Sequence, residues 1–564
     1  MRLRPEHFAT ARYLAVGIAC SLLVWPWAHA LNWWVPIVGA LAGFAYGATY
    51  RPGAAGALDG MLTCAVLAIP LWCALDVVVI PVAQGHAAAW SASGMRGAFP
   101  ALIGWIVSGA ALGLVIYGEG VFFGRETPAA AVPTTVADPL RVVIVGGGFA
   151  GMTTAAELEK ALGADGSIAI TLVSQANALL FTPMLAEVAG SSIEPTHISS
   201  PLRTSLRRTD VVRARVGSID LHARRVELAA EDGARDARYI AYDHLVLALG
   251  AVSNFFGQEN ISRVALDFKS LTDAIRIRNH VISVIDRADR ELDDGVKRRL
   301  LTFVVAGGGF AGIELGGALN DFARGVLIDY PNLRSADVRV VIVHSRDRVL
   351  PELSATLASY ALERMTERGV EFRLNARVAD ATPDAVMLDP PETIAANTLV
   401  WTAGTAPHPL LATLDVERNK RGAVVVDASM AVPGRANLWA LGDCAAIPTG
   451  LPGGTFPPTA QHALREAATL ARNILASTRN ESLSPFRFRS PGSLCVIGHQ
   501  IACAEIREPL TGKTLLFSGV FAWFMWRAIY LAKLPGFERK VRVIVDWITE
   551  LFFPRDTVQT IELT

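Results

Sequence analysis

The chain has 564 residues, enough for several domains. Lys plus Arg and Asp plus Glu balance at 52 each, so bulk charge gives no ground for nucleic-acid binding. Mean hydropathy is +0.36, high for a soluble enzyme, and the apolar excess lies in the first 125 residues. The six cysteines, Cys20, Cys64, Cys73, Cys444, Cys495 and Cys503, form no C-x-x-C or zinc spacing. This pattern gives no sign of a disulfide framework, and no metal site is expected.

From Tyr13 to Tyr50 there is no Asp, Glu, Lys or Arg. A spanning helix takes about 20 apolar residues, so the stretch accommodates two short spans. Trp25-Pro26-Trp27-Ala28-His29 to Trp33-Trp34 would form the hairpin, with tryptophans at the interface. Further apolar runs cover Leu58 to Val82 and Ala98 to Phe123. The sequence thus predicts an all-α transmembrane module of about four helices over residues 1–125, and the repeated pattern argues against a lone signal peptide. Arg2, Arg4 and Arg12 precede the first run, Arg51 follows the second and Arg125 the fourth, with only Arg96 in the other loops. That asymmetry predicts a multi-pass protein of the cell membrane with both module ends, and the domain that follows, in the cytoplasm. Asp59, Asp76 and Glu119 lie in or near the runs, either as functional carboxylates or as groups at an interface or facing a neighbouring helix. His29 and His86 fall in predicted loops rather than on facing helices, so no haem is expected. Residues 126–139, rich in Pro, Ala and Thr, read as a linker.

The six residues Gly146-Gly-Gly-Phe149-Ala150-Gly151 follow the apolar run Arg141–Val145. The same six recur as Gly307-Gly-Gly309-Phe310-Ala311-Gly312 after Leu301–Ala306. Each reads as strand, tight turn and helix start with G-x-G-x-x-G spacing, here Gly146, Gly148 and Gly151 or Gly307, Gly309 and Gly312. The glycines allow the turn, the approach of backbone N–H groups to a pyrophosphate, and close helix–strand packing. Two such units predict an α/β fold with two Rossmann-like dinucleotide-binding domains. A carboxylate normally ends the second strand of each unit and binds the ribose hydroxyls. Here the first unit ends in Ser174-Gln175 and the second in His344, followed by Ser345-Arg346. An arginine at this point accommodates the 2′-phosphate of NADP, so NADPH stands beside NADH as donor, with a solvated loop arginine as the other reading of Arg346.

From Arg141 onward the chain resembles the type II NADH dehydrogenases, single-chain NAD(P)H:quinone oxidoreductases of the pyridine nucleotide–disulfide oxidoreductase superfamily. The resemblance is carried by the two fingerprints, Leu180-Phe-Thr182-Pro183-Met184, Tyr242 to Gly250, Thr398 to Gly404, Leu441-Gly442-Asp443-Cys444-Ala445 and Phe456 to Gln461. It implies FAD in the first fingerprint and NADH or NADPH in the second. The implied divisions are 140–300 and 406–490 for the FAD domain, 301–405 for the inserted NAD(P)H domain, and 491–564 for a membrane-associating or dimerising tail. The implied FAD contacts include Thr182, Pro183, Val216, Ala248, Gly250, Gly442 and the ribityl-binding Asp443; Ala403 and Gly404 fall on the nicotinamide side. Glu314 matches the family glutamate beside the nicotinamide, the alternative being an acid placed for the helix dipole. Backbone groups of Gln461, His462 and Ala463 would face the reduced flavin's negative charge. His462 is either a proton relay or an inert structural histidine. Where the family carries paired glutamines, this chain has Arg465-Glu466, which leaves the quinone contacts open.

Between Cys73 and Cys444 there is no cysteine. Thiol-based relatives need thiolates at the flavin, so electrons are expected to leave the flavin directly. The tail carries Val520 to Trp526, Tyr530, Trp547 and Phe552-Phe553 with interleaved Arg527, Lys533, Arg539, Lys540 and Arg542. It reads as an interfacial helix pair with basic groups toward lipid headgroups, or as a core or dimer helix. The implied partners are a membrane quinone, the lipid bilayer and, as one option, a second copy of the chain. Two further readings stay open: a flavoprotein reductase with a non-quinone acceptor, and a nucleotide-binding, redox-sensing membrane scaffold.

Overall fold

The computed structural model describes residues 5–27, 35–49, 57–89, 92–123, 138–163, 165–229, 238–508, 512–550 and 553–559. The expected linker 126–139 lies almost wholly outside these residues. So do most of the expected Trp25–Trp34 hairpin with His29, and Arg2, Arg4, Arg51, Arg125 and Phe552.

Four helices come first: α1 (Pro5–Ser21), α2 (Val35–Thr49), α3 (Ala57–Trp72) and α4 (Ala92–Phe123). Beyond Trp72 the helical path of α3 runs on through a π-helical stretch, Cys73–Val79, and Ile80–Ala83. Among the described residues one helix, Gly97–Gly118 within α4, is long and apolar enough to cross a membrane. The expectation of four spans is therefore corrected to one of full length. At Leu22–Trp27 the chain tightens into a 3-10 turn containing Pro26, so α1 is 17 residues long and α2 is 15. At about 1.5 Å per residue neither reaches the roughly 30 Å of a hydrocarbon core.

Close packing of these helices depends on glycine. Gly39 and Gly43, spaced G-x-x-x-G, bring α2 against α1, where a Cβ on Gly43 would come 2.8 Å from the Cα of Gly17. Gly109 and Gly113 repeat the spacing on α4, and a Cβ on Gly113 would come 2.8 Å from the backbone N of Met61 on α3. Small residues four apart let helix backbones approach in this way in lipid-embedded bundles. Trp72 donates to Ala98 O at 2.9 Å, and Trp105 donates to Asp76 Oδ2 at 2.7 Å.

The chain next builds β1 (Leu140–Val145), α5 (Phe149–Leu162), β2 (Ile168–Ser174), β3 (Asp210–Arg213) and β4 (His244–Leu247). A second unit follows with β5 (Thr302–Ala306), α6 (Phe310–Gly325), β6 (Arg339–His344), β7 (Val370–Leu374) and β8 (Thr398–Trp401). The chain then returns to the first sheet as β9 (Leu438–Ala440) and to its helical layer as α7 (Ala460–Thr478). The first sheet has the order β9-β4-β1-β2-β3, parallel throughout. The second has Leu266–Asp267, β8, β5, β6 and β7, also parallel. Val142 to Val145 and Phe303 to Val305 are buried, as strands covered on both faces must be. A short antiparallel ribbon, Ala251–Ser253 with Thr405–Pro407, carries the chain out to the second sheet and back.

The tail forms a three-stranded sheet over residues 492–518 and then α8 (Gly519–Lys533) and α9 (Phe537–Thr549). Residues 494–505 and 516–548 belong to one compact unit with the N-terminal helices, and the two nucleotide domains form the other. α8 packs on α3, with Phe521 against the cluster around Trp72 and Trp105. The tail's basic groups do not all face outward, in correction of the interfacial reading. Lys540 is 4% exposed, and its ammonium donates to Thr63 Oγ1 at 3.3 Å. Arg527 is buried with its guanidinium 3.8 Å from the Trp523 ring and 4.6 Å from that of Trp547. Arg542 is exposed and pairs with Glu538.

Candidate functional site

Two glycine loops sit at the C-terminal ends of the two parallel sheets, where dinucleotide folds bind their ligands. At the first, Gly146 has φ +115 and donates to Val173 O at 2.8 Å. A Cβ there would strike the carbonyl of Ala248, the residue that continues β4. Gly148, before the first turn of α5, has open space where a Cβ would lie, which is room for a phosphate. Phe149 meets Phe181 edge-on at 5.8 Å, bringing Thr182 and Pro183 to the loop. The buried Ser174 packs under Gly147 and accepts the N–H of Ala214 at its own carbonyl, so the segment leading to Val216 also borders the strand end. Gln175 is exposed at the tip, and Gly250, at φ +66, turns the chain away.

The distant segments close the same site. Leu441 donates to Leu247 O at 3.2 Å, placing Gly442 and Asp443 beside the end of β4. Gly442 has φ +72, and a Cβ on it would lie 3.0 Å from Ala150 Cβ and 3.9 Å from Ala463 Cβ. The fingerprint helix, the Gly-Asp turn and the start of α7 thus meet at one glycine. Burial pushes the Asp443 carboxyl above its usual range, while Lys269 and Arg421 pull it back. Such a carboxylate is ready to accept hydrogen bonds from hydroxyls.

Thr459 caps α7, with its hydroxyl 2.7 Å from His462 Nδ1 and 3.5 Å from His462 N. Ala463 N–H donates to Thr459 O. Of the three backbone donors expected from the sequence, His462 and Ala463 are therefore engaged by the cap, and Gln461 stays in the first turn. The Gln461 side-chain amide donates to Gly492 O at 3.3 Å. His462 itself is 6% exposed and boxed by Phe456 and Phe488 at 5.8 and 5.0 Å, and burial lowers its pKa. These contacts fit the structural reading of His462 rather than the proton relay.

Glu466 is what sequence reasoning missed. It is 3% exposed, and its Oε2 accepts the Gly442 N–H at 2.8 Å. Burial, helped by Asp443, pushes its carboxyl up to about 7 against the pull of that hydrogen bond. The signal was present, since Ala463, Glu466, Ala467, Leu470 and Ile474 share the buried face of an amphipathic helix. Arg465, its neighbour, is exposed. Cys444 is fully buried, its thiol donating to Leu247 O and Leu441 O, and burial raises its pKa to about 12. Such a thiol stays protonated and inert.

At the second loop Gly307 has φ +120 and donates to Val343 O at 2.8 Å. A Cβ there would strike Thr402, which donates from both N and Oγ1 to Ala306 O. Phe310 and Ala311 begin α6, Gly312 packs on the Gly307 carbonyl, and Glu314 is half-buried one turn on. Ala403 and Gly404 follow Thr402, and Gly404 O accepts from Asn254 N at 3.0 Å. Phe256, at φ +53 and largely exposed, lies over Gly404. His344 ends β6 beneath Gly308, and Arg346 is exposed two residues on. No group of three metal-ligating side chains exists among the described residues.

Residues 140–467 match the family described as pyridine nucleotide-disulphide oxidoreductase, and residues 491–556 match the NDH2 C-terminal domain. The chain is 30% identical over 423 residues to the type II NADH:quinone oxidoreductase Ndh of Mycobacterium tuberculosis, covering 72% of this chain and 87% of that protein. It is 28% identical to the mitochondrial internal alternative NAD(P)H-ubiquinone oxidoreductase A1 of Arabidopsis thaliana, over 75% of this chain and 86% of that one. In fold it is similar to Plasmodium falciparum NDH2 in complex with NADH, with a TM-score of 0.68 and 19% identity, covering 75% of this chain and all of that one. The chain belongs to the type II NADH:quinone oxidoreductase family of the pyridine nucleotide-disulphide oxidoreductases.

Proposed function

We propose that this chain is a membrane-bound, non-proton-pumping oxidoreductase that takes hydride from NADH or NADPH and delivers the electrons to a membrane quinone. The observation that carries this reading is the pairing of two glycine-loop sites by one short ribbon, with no reactive thiol between them. FAD fits the first site: Gly148 leaves room at a helix N-terminus, and Gly442 brings Asp443 against the same loop. When bound, FAD supplies the hydride acceptor and the electron outlet.

The chain's own residues bind, orient and insulate. Backbone N–H groups of the Gly146 loop, with the N-terminus of α5, hold the pyrophosphate, and Asp443 accepts from the ribityl hydroxyls. Glu466 fixes Gly442 and so sets where Asp443 stands. The N-terminus of α7 supports negative charge through the first-turn N–H groups of Ala460 and Gln461. The Gly307 loop holds the nicotinamide dinucleotide, and Glu314 orients its reactive end. Because Glu466 is turned inward to Gly442, only Arg465 of the altered pair is available to an acceptor.

Membrane attachment is supported by the apolar side chains the helical unit leaves exposed, among them Leu41, Leu58, Val82, Phe99, Ile103 and Leu114. A face of this kind belongs against lipid. In this reading Gly97–Gly118 is the span.

The test is spectroscopic. Purified full-length protein should lose its oxidised flavin absorbance on adding NADH or NADPH and regain it with a quinone. A flavin that stays oxidised with both nucleotides overturns the reading.

A further inference from the structure

We propose that the second nucleotide site is built for NADPH, with His344 and Arg346 on the 2′-phosphate side; this deepens, and rests on, the function proposed above. Dinucleotide folds that select NADH place a carboxylate at the end of the second strand, where it accepts from the ribose 2′-hydroxyl and repels a 2′-phosphate. Here that strand is β6, and its last residue is His344.

The imidazole's environment defines which way it can bond. Gly308 N–H donates to His344 Nδ1 at 3.1 Å. A Cβ on Gly308 would come 2.7 Å from His344 Cγ and 3.0 Å from Cδ2, so the ring is seated against the glycine loop. An Nδ1 that accepts must carry its lone pair, so the neutral ring has its proton on Nε2. Burial and the nearby Arg346 both lower the pKa of His344, which favours this neutral form. Nε2 is itself buried and has no hydrogen-bond partner among the described residues. The strand end thus lacks the carboxylate acceptor that an NADH site offers. A phosphate, all acceptor and doubly charged, is opposed by a carboxylate at this position and not by a neutral imidazole.

The turn that follows carries charge of both signs. Ser345, Arg346 and Asp347 are exposed, and Arg348 is held by Pro351 O at 3.0 Å. The main chain here is pinned, since Ala376 and Asn375 donate to the carbonyls of His344 and Arg346. Glu352 stands elsewhere, with Oε1 3.3 Å from where a Cβ of Gly309 would be, on the glycine loop rather than at the strand end. Arg346 is thus an exposed cation two residues beyond the strand end, and Asp347 lies one residue further out.

The experiment uses the full-length, flavin-loaded protein and two readouts. Calorimetry compares adenosine 2′,5′-bisphosphate with 5′-AMP, which differ only in the 2′-phosphate. The bisphosphate should bind at least about tenfold tighter, and R346A should remove most of that difference. Stopped-flow flavin reduction should give a kcat/KM for NADPH at least equal to that for NADH, and H344E should lower the NADPH/NADH ratio by about 100-fold. Bisphosphate binding no tighter than AMP, or a wild-type preference for NADH of about tenfold or more, overturns the proposal. If neither dinucleotide reduces the flavin, the enzymatic reading fails, whereas the bisphosphate comparison still decides what the site selects.

Discussion

The two Gly-Gly-Gly-Phe-Ala-Gly loops have the same sequence and nearly the same backbone, with φ of +115 at Gly146 and +120 at Gly307. Their neighbours differ. The first loop is met by Ala248 and Gly442, supplied by two separate segments, with a small serine under Gly147. The second is met by Thr402, with the His344 ring under Gly308 and Glu352 beside Gly309. Identical glycine loops therefore define only that a pyrophosphate is held. Which dinucleotide, and for what use, is written in the residues that other strands bring to the loop.

Breaking each loop at its equivalent glycine should separate the two roles. In G146A the new methyl strikes the Ala248 carbonyl at a φ that L-residues rarely adopt. Purified protein should lose its flavin, with retention reduced on the order of 100-fold as read from flavin absorbance. The matching G307A meets Thr402 instead. It should keep its flavin yet fail to have it reduced by NAD(P)H, and loss of flavin from both variants alike would erase the distinction between the loops.

A smaller effect is expected from E314Q, which keeps the shape of the side chain and removes its charge. Flavin reduction by nucleotide should slow by about 10- to 100-fold if the carboxylate orients the reacting end, and hardly at all if it only complements the helix dipole.

Glu466 sharpens the comparison from the first site. Its carboxyl titrates at about 7 in the fold and near 4.3 when unfolded. The folded protein binds the extra proton between those values, so stability falls as pH rises from about 4.5 to 7, by an amount on the order of 2–3 kcal/mol. In E466Q that slope should flatten, as read from Tm across the interval. The smallest effect belongs to C444A: the thiol is buried and protonated, so quinone-linked turnover should stay within about twofold of wild type.

The parallel sheets and both loops were legible in the sequence because buried strands demand unbroken apolar runs, such as Val142 to Val145, and tight turns demand glycine. Asp443 and Gly442 were reachable only through resemblance, since nothing local links them to Ala150. Helix lengths in the first 125 residues were not legible, because hydropathy reports that a run is apolar and not that its helix stops at Ser21 or Thr49. The role of Glu466 was hidden for a related reason: its partner, Gly442 N–H, lies 24 residues away in the chain. The inward turn of Lys540 toward Thr63 spans 477 residues, beyond any local pattern.

That last contact bears on how the protein is made. α1 to α4 leave the ribosome well before α8, which packs on α3, and α9, whose Lys540 is buried beside Thr63. At about 5–20 residues per second the early helices wait tens of seconds for these partners. Throughout that interval their apolar faces need another cover, which a bilayer provides and water does not.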